Sequence, residues 1–220
     1  MAVMNYTLEG DVAVLRFDDG KANAVGHGFI EAMNQGLDQA EKEAKAVLIA
    51  GRPERFSAGF DLAEFKKGAD ATEALLKSGT QMFLRLYGHP QPVVAACTGH
   101  AIAAGGFLLL ACDTRIGTLG DYKIGLNETA IGMGFPVFGH ELANSRISRR
   151  HLTAVLLQAK LYDPEGAIDA GFLDEAVSAD DLIQRGLDVA TALGGLPASA
   201  YANNKRDMRA VSLENIKNSI

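Results

Sequence analysis

Three short stretches of this sequence carry residue types and spacings that suit chemistry at a developing negative charge. Two of them, RFSAGFDL at residues 55–62 and VVAACTGHAIAAGG at residues 93–106, place a glycine-rich turn between a strand-like run and a helix-like run. Because the first turn of a helix leaves N–H groups without internal partners, such turns present donors to an anion. Two donors aimed at one point would form an oxyanion hole. The third stretch, residues 125–132, adds a carboxylate, Glu128, that can move a proton.

The order of these motifs resembles the crotonase family, the enoyl-CoA hydratases and isomerases. Residues 56–62 are similar to the family signature F-x-A-G-x-D, and residues 98–113 resemble its NG-x-A-x-GGG…CD block at the same length. KANAV at residues 21–25 resembles the entry to the first family helix, and residues 163–177 resemble A-x-E-A…GLV-x-x-V. The resemblance spans nearly the whole chain and implies an α/β fold. That fold is a superhelical spiral core of ββα units followed by a C-terminal helical oligomerisation region.

This resemblance also implies roles for particular residues. The oxyanion donors would be the backbone N–H groups of Ala58 and Ala104, with Gly105 replacing Ala104 if the turn shifts by one residue. The family usually carries glycine at position 104, so alanine is a departure that keeps the donor and narrows the space. Glu128 would be the general base, and apolar neighbours would raise its pKa. Taken without the flanking motifs, Glu128 reads more readily as a helix cap or a surface residue.

The choice of reaction depends on position 107. Family hydratases hold water with two glutamates, and the second would fall at Phe107, in a run without any carboxylate. One carboxylate and an oxyanion hole suffice for a 1,3-proton shift, so the sequence favours a Δ3–Δ2 enoyl-CoA isomerase. The alternatives are a hydratase or hydrolase-like member whose water is held by His140 or another residue, and a non-catalytic acyl-CoA-binding protein that keeps the fold.

The substrate is expected to lie among apolar side chains, since the loop at residues 130–139 offers a wall for a fatty acyl group. Asp61 is expected to cap the next helix and orient the Ala58 amide. For His140 a capping or packing role is favoured over a catalytic one. The basic residues at positions 52, 55, 66 and 67 are equally consistent with CoA phosphate contacts and with solvated charges. The residues expected to bind substrate are Phe60, Asp61, Leu62, Phe107, Met133, Phe135 and His140.

Composition excludes several other classes of function. The 220 residues are 48% hydrophobic and 22% charged, as in a soluble globular protein, and the net charge of −6 argues against a nucleic-acid surface. No apolar run approaches the ~20 residues that span a bilayer. The two cysteines favour buried thiols in a reducing compartment, so a cytoplasmic protein is expected. Without a G-x-G-x-x-G fingerprint or a metal cluster, no cofactor is expected beyond the coenzyme A of the substrate.

Hydrophobic periodicity predicts the elements that hold these residues. Strands are expected at residues 6–9, 12–17, 46–51, 93–97, 114–118 and 122–125. Residues 1–195 are expected to form the core and residues 196–220 a helical segment that assembles trimers or hexamers, as the resemblance implies. Helices are expected at residues 27–44, 61–67, 73–86, 105–111, 141–147, 149–158, 163–170, 180–193 and 197–220.

Overall fold

The computed structural model describes residues 3–220 and shows a chain in which strands and helices alternate. This alternation confirms the α/β class predicted from the sequence. In chain order the strands are β1 (Met4–Glu9), β2 (Val12–Phe17), β3 (Ala46–Ala50), β4 (Glu54–Ser57), β5 (Val93–Cys97), β6 (Gly99–Ile102), β7 (Thr114–Thr118), β8 (Ile124–Gly125) and β9 (Glu175–Val177). The helices are α1 (His27–Glu43), α2 (Leu62–Phe65), α3 (Ala69–Tyr87), α4 (Ala104–Ala111), α5 (Val137–Arg146), α6 (Leu152–Leu156), α7 (Pro164–Ala170), α8 (Leu182–Gly194) and α9 (Ala198–Lys217).

The larger of two sheets has the strand order β1-β2-β3-β5-β7-β9. Its first pair is an antiparallel hairpin, and the remaining pairs are parallel. Strands β3 and β5 are buried along their whole length, which explains their unbroken apolar sequences. Helix α8 packs closely on one face, where a Cβ on Gly186 would lie only 2.8 Å from the Leu48 side chain. The opposite face meets α1 and the larger hydrophobic core.

A second, three-stranded sheet has the order β4-β6-β8, and both of its pairs are parallel. Each of its strands directly follows a strand of the larger sheet, so the chain repeats a strand, a second strand and a helix three times. This repeat confirms the expected spiral core of ββα units. It also places the carboxyl ends of β4, β6 and β8 side by side.

Several sequence predictions about local structure differ from the fold. The predicted loop at residues 130–139 ends early, because α5 begins at Val137 immediately after Pro136, whose ring presets a backbone angle that suits a helix start. Strands β4 and β6 were not predicted, because each has four residues and lies in a stretch interpreted as a turn, and the three-residue strand β9 was not predicted either. Within residues 3–220, no helix has both the length and the apolar composition required to cross a bilayer.

Helix α9 packs against α3 and α5 of its own chain and is fixed there by buried charges. Lys205 Nζ lies 2.6 Å from one carboxylate oxygen of Asp113, and Arg209 Nη2 lies 2.7 Å from the other. The same lysine donates to the carbonyls of His89 and Gln91, and Arg209 donates to the carbonyl of Tyr87. The charges are therefore paired and hydrogen-bonded, as buried ions must be. A role of residues 196–220 in oligomerisation stays a prediction.

Candidate active site

The site is organised by the small sheet, whose three parallel strands all end at the same edge. Ser57 of β4 pairs with Ala101 of β6, and Ile102 of β6 pairs with Gly125 of β8. The chain leaves β4 into the turn at residues 58–60, leaves β6 into the start of α4, and leaves β8 toward Glu128. Pairing between these strands thus brings together three segments that are far apart in the sequence.

In the first turn the structure corrects the predicted donor. The N–H of Ala58 donates to the carbonyl of Ala22 at 3.0 Å, so it is committed inside the protein. Phe60 offers its N–H instead. Val25 forms a parallel bridge with Phe60 by bonding to the residues on either side of it, so the Phe60 N–H points away from Val25. Among the hydrogen bonds of residues 3–220, that N–H has no acceptor.

The second turn presents the N–H of Ala104, whose role as an oxyanion donor stays a prediction. Ala104 is the first residue of α4, and its N–H and that of Gly105 have no acceptor within residues 3–220. Ala103 immediately before it has φ +54° and ψ −120°, a strained conformation for a non-glycine residue. The turns touch, because a Cβ built on Gly59 (φ +106°) would lie 3.1 Å from the Ala103 Cβ and 3.8 Å from the Ala104 nitrogen. The Phe60 and Ala104 turns are thus neighbours, as an oxyanion hole requires.

Glu128 follows β8 and is held by a short 3₁₀ turn at Thr129–Ile131. Its carbonyl accepts the N–H groups of Ile131 and Met133, and the Thr129 hydroxyl donates to the Leu156 carbonyl at 2.7 Å. The Glu128 residue is only 5% exposed, and its Oε2 has no hydrogen-bond partner among the described residues. Burial raises the pKa of Glu128 to about 7, against the lowering effect of the backbone N–H groups of Glu128 and Asn127. A carboxyl with this pKa is suited to general base catalysis near neutral pH.

These groups surround a cavity of about 430 Å³ whose wall is almost entirely apolar. Phe107 is 1% exposed and packs edge-on against Phe83, Phe135 and Phe138, so its ring fills the position where a second carboxylate was considered. Asn127 and Glu128 supply the polar side chains of this wall. The lining residues are Ala58, Gly59, Phe60, Leu62, Phe65, Leu76, Ala103, Phe107, Asn127, Glu128, Ile131, Met133, Gly134, Phe135 and Pro136.

The structure brings five of the seven expected substrate-contacting residues to this cavity: Phe60, Leu62, Phe107, Met133 and Phe135.

Asp61 and His140 do not line the cavity. Asp61 caps α2 by accepting the Ala63 N–H at 2.9 Å, which is the capping role the sequence predicted. His140 is exposed on α5, and its ring centroid lies 5.6 Å from that of Phe135, on the outer side of the wall. It sits outside because α5 begins earlier than expected and carries residue 140 on its solvent side.

Sequence reasoning missed several residues of the wall. Ile131 and Pro136 come from the loop after Glu128, and Phe65 and Leu76 from helices that fold over the first turn. Asn127 was also missed, although its position next to the predicted base was a usable signal. Within residues 3–220 no cluster of His, Cys, Asp and Glu side chains has the geometry to hold a metal ion.

The basic residues near the first turn differ in their surroundings. Arg52 donates to the carbonyl of Lys21 at 2.8 Å and lies 3.4 Å from Asp18, and Lys67 pairs with Glu64 at 2.6 Å. Lys66 is exposed and forms no ion pair with another described residue. Of these three, Lys66 is therefore the cation most available to a substrate phosphate.

Comparison with known proteins points to one family. Residues 7–219 match the sequence profile described as enoyl-CoA hydratase/isomerase. The chain is 30% identical over 205 residues to human mitochondrial enoyl-CoA delta isomerase 1. This alignment covers 90% of this chain and 67% of the human protein. It is 34% identical over 137 residues to a probable enoyl-CoA hydratase of Bacillus subtilis, covering 60% and 53% of the two chains. A solved enoyl-CoA hydratase/isomerase family protein from Pseudomonas syringae superimposes with a TM-score of 0.96 at 39% identity, covering 99% and 94%.

Proposed function

This chain belongs to the enoyl-CoA hydratase/isomerase family, and we propose that it moves the double bond of a 3-enoyl-CoA to the 2-position. The observation that carries the proposal is the buried Glu128 carboxylate, whose Oε2 has no hydrogen-bond partner among the described residues, in one cavity with the turns of Phe60 and Ala104. No second carboxylate lines the described cavity wall. Such a site can take a proton and stabilise the resulting enolate, and it offers no second acid for a two-glutamate hydration.

The proposed reaction has two proton transfers. The thioester oxygen accepts hydrogen bonds from the N–H groups of Phe60 and Ala104. Glu128 removes a proton from C2, and the electron pair of that C–H bond enters a dienolate whose negative charge rests mainly on the thioester oxygen. Glu128 then returns the proton to C4, which forms the C4–H bond and leaves the double bond between C2 and C3. Donors aimed at such an oxygen typically contribute ~3–4 kcal/mol each to the transition state.

Two structural features and one comparison support isomerisation over the alternatives. Phe107 places an aromatic ring in the cavity wall at the position where a two-glutamate hydratase would carry its second carboxylate, and so disfavours the attacking water that a hydratase needs. The hydratase alternative assigned water binding to His140 or another residue, and the His140 side chain lies outside the cavity lining. The human relative at 30% identity is named a delta isomerase, which agrees with the proposal.

We also propose that the acyl group occupies the apolar cavity while coenzyme A extends over the exposed rim near Leu62, which is 59% exposed. Lys66 would then face the nucleotide phosphates. No separate cofactor is proposed. The predicted trimer or hexamer and the cytoplasmic location remain predictions, and the mass of the purified protein by light scattering tests the former.

The decisive experiment incubates the protein with 3-enoyl-CoA and 2-enoyl-CoA thioesters and records product mass and conjugated-enoyl absorbance. New conjugation at unchanged mass, lost in Glu128→Gln, supports the isomerase. A gain of one water would assign a hydratase. Measurable thioester binding without any turnover would support the non-catalytic alternative.

A further inference from the structure

The cavity that holds Glu128, called here the catalytic cavity, shares part of its wall with a second cavity of about 580 Å³. Within residues 3–220, Leu76 and Pro136 are the two residues that line both spaces. Leu76 belongs to α3 and is half-buried, and Pro136 directly precedes α5. These two residues therefore form the partition between the cavities.

The position of the partition depends mainly on the side chain of Leu76. Pro136 is fixed by its ring, so its place follows from the backbone at the start of α5. Leu76 projects from α3, and the same helix packs so closely on the first turn that a Cβ on Gly79 would lie 2.7 Å from the Phe60 ring. Because the helix is held in place, the reach of residue 76 into the catalytic cavity is set by the size of its side chain.

The partition is also the direction in which an acyl tail can lengthen without displacing the core. The ring of Phe107, at another part of the wall, is backed by Phe83 and Phe138, which are themselves fully buried. Behind Leu76, by contrast, lies the open space of the second cavity. A tail that grows longer inside the catalytic cavity therefore meets Leu76.

The two sides of the partition differ in what they offer to a hydrocarbon chain. On the catalytic side Leu76 stands with Phe65 and other apolar side chains in a wall that is almost entirely apolar. On the far side the wall includes Glu73 and Lys77, which are exposed to solvent. Each methylene gains free energy when it leaves water for apolar surroundings. That gain is available up to Leu76 and declines beyond it.

We infer that Leu76 sets the length of the acyl chain that this protein prefers. The inference rests on the proposed function, which places the thioester at the N–H groups of Phe60 and Ala104 and coenzyme A near Leu62. With that end fixed, the preferred substrates are thioesters whose terminal methyl group contacts Leu76. Longer chains gain little from their additional carbons, because these carbons must displace Leu76 and enter the second cavity.

The test measures the affinity of saturated acyl-CoA thioesters, from butyryl to palmitoyl, by titration calorimetry. For the wild type, the affinity should rise about fourfold with each methylene and then level off. Leu76→Ala removes about three carbon atoms from the partition, so the levelling should move to chains about two carbons longer. Leu76→Phe adds a similar volume and should move the levelling to chains about two carbons shorter.

A matched control separates the role of Leu76 from a general effect on the cavity. Leu62→Ala shortens another leucine of the same wall, one that does not line the second cavity. It should weaken the binding of all chain lengths by a similar factor and leave the levelling point unchanged. Thermal unfolding of each variant checks the fold. Because the two substitutions at residue 76 shift the levelling in opposite directions, either one decides the question if the other fails to fold.

The possible outcomes distinguish this inference from the isomerase proposal. Levelling at the same chain length in the wild type and the Leu76 variants would overturn the inference and leave the isomerase proposal standing. An affinity of the wild type that rises through the longest chain would do the same. Saturated thioesters cannot isomerise, so a shifted levelling point without turnover of any enoyl-CoA would support the role of Leu76 and reject the isomerase. If no acyl-CoA binds, both proposals are rejected.

Discussion

The N–H of Ala103 donates to the carbonyl of Gly125 at 3.0 Å. This bond ties the turn that presents the Ala104 donor to the strand that ends three residues before Glu128. Because the bond lies in the backbone, the spacing between the Ala104 donor and the backbone of Glu128 does not depend on any flexible side chain. A fixed spacing of this kind is what preorganised catalysis requires.

Replacing the proposed donors one atom at a time tests this arrangement. Lactic acid in place of Ala104, or phenyllactic acid in place of Phe60, exchanges the backbone N–H for an ester oxygen and keeps the side chain. Each change is expected to lower kcat about 100-fold or more, because one oxyanion donor is lost. Rates would be measured with the enoyl-CoA that the wild type isomerises fastest.

Lactic acid at position 58 is the matched control for these ester variants. The Ala58 N–H bonds to Ala22, so its loss should lower stability by about 1 kcal/mol and leave kcat nearly unchanged. If the position 58 variant instead lost activity as strongly as the position 104 variant, the assignment of Phe60 would be wrong.

The pH dependence of turnover follows from the raised pKa of Glu128. Only the carboxylate form can remove the C2 proton, so kcat/KM should rise with pH and level off above about 7. The measurement is a pH–rate profile with a substrate whose own groups do not titrate in this range. A midpoint near 4.5, the ordinary value for glutamate, would show that Glu128 is not held in the desolvated state described above.

The same pKa predicts a cost in stability. The folded protein holds the Glu128 proton more tightly than the unfolded chain, so stability should decline as the pH rises from 4.5 to about 7. Glu128→Gln removes this buried charge. It should be more stable than the wild type by up to about 3 kcal/mol above pH 7, with no difference from this source below pH 4.5. Denaturant unfolding at pH 4 and pH 8 compares the two proteins, and equal differences at both values would argue against a buried charge.

The ion pairs between α9 and Asp113 predict that a substitution far from the cavity strongly lowers the stability of the fold. Asp113→Asn leaves the buried cations of Lys205 and Arg209 without their carboxylate, and breaking such a pair typically destabilises a protein by about 3–5 kcal/mol. Chemical denaturation measures this loss. The double variant Lys205→Met with Arg209→Met in the Asp113→Asn background should recover part of it, because no buried charge is then left unpaired. If Asp113→Asn alone were as stable as the wild type, this would show that water reaches the contact.

The sequence was sufficient to predict the general fold and to single out Glu128, which lines the cavity, since both depend on local patterns. Glu128 stands in a recognisable segment, α4 is an unbroken apolar run, and the buried strands β3 and β5 are visible as short hydrophobic stretches. The ends of α8 were predicted within two residues and those of α9 within three, for the same reason.

The exact donor could not be predicted, because it depends on a contact between distant segments. Whether Ala58 or Phe60 has a free N–H is decided by how residues 22–25 lie against the turn, and the sequence does not show this approach. The strands of the small sheet have only two to four residues, too few for a periodic signal. His140 was misplaced because the start of α5 depends on Pro136 more than on composition.

The contact between Asp113 and α9 has a consequence for synthesis of the chain. Asp113 leaves the ribosome 96 residues before Arg209, so a nascent chain can assemble β5 and β7 long before the cations that neutralise this carboxylate exist. Until α9 docks, the groove between α3 and α5 stays open to solvent and to proteases. A product truncated before residue 198 would carry every residue of the proposed catalytic cavity and still lack α9, the helix that covers α3 and α5. We therefore expect such products to be degraded in cells, even though no catalytic group is missing from them.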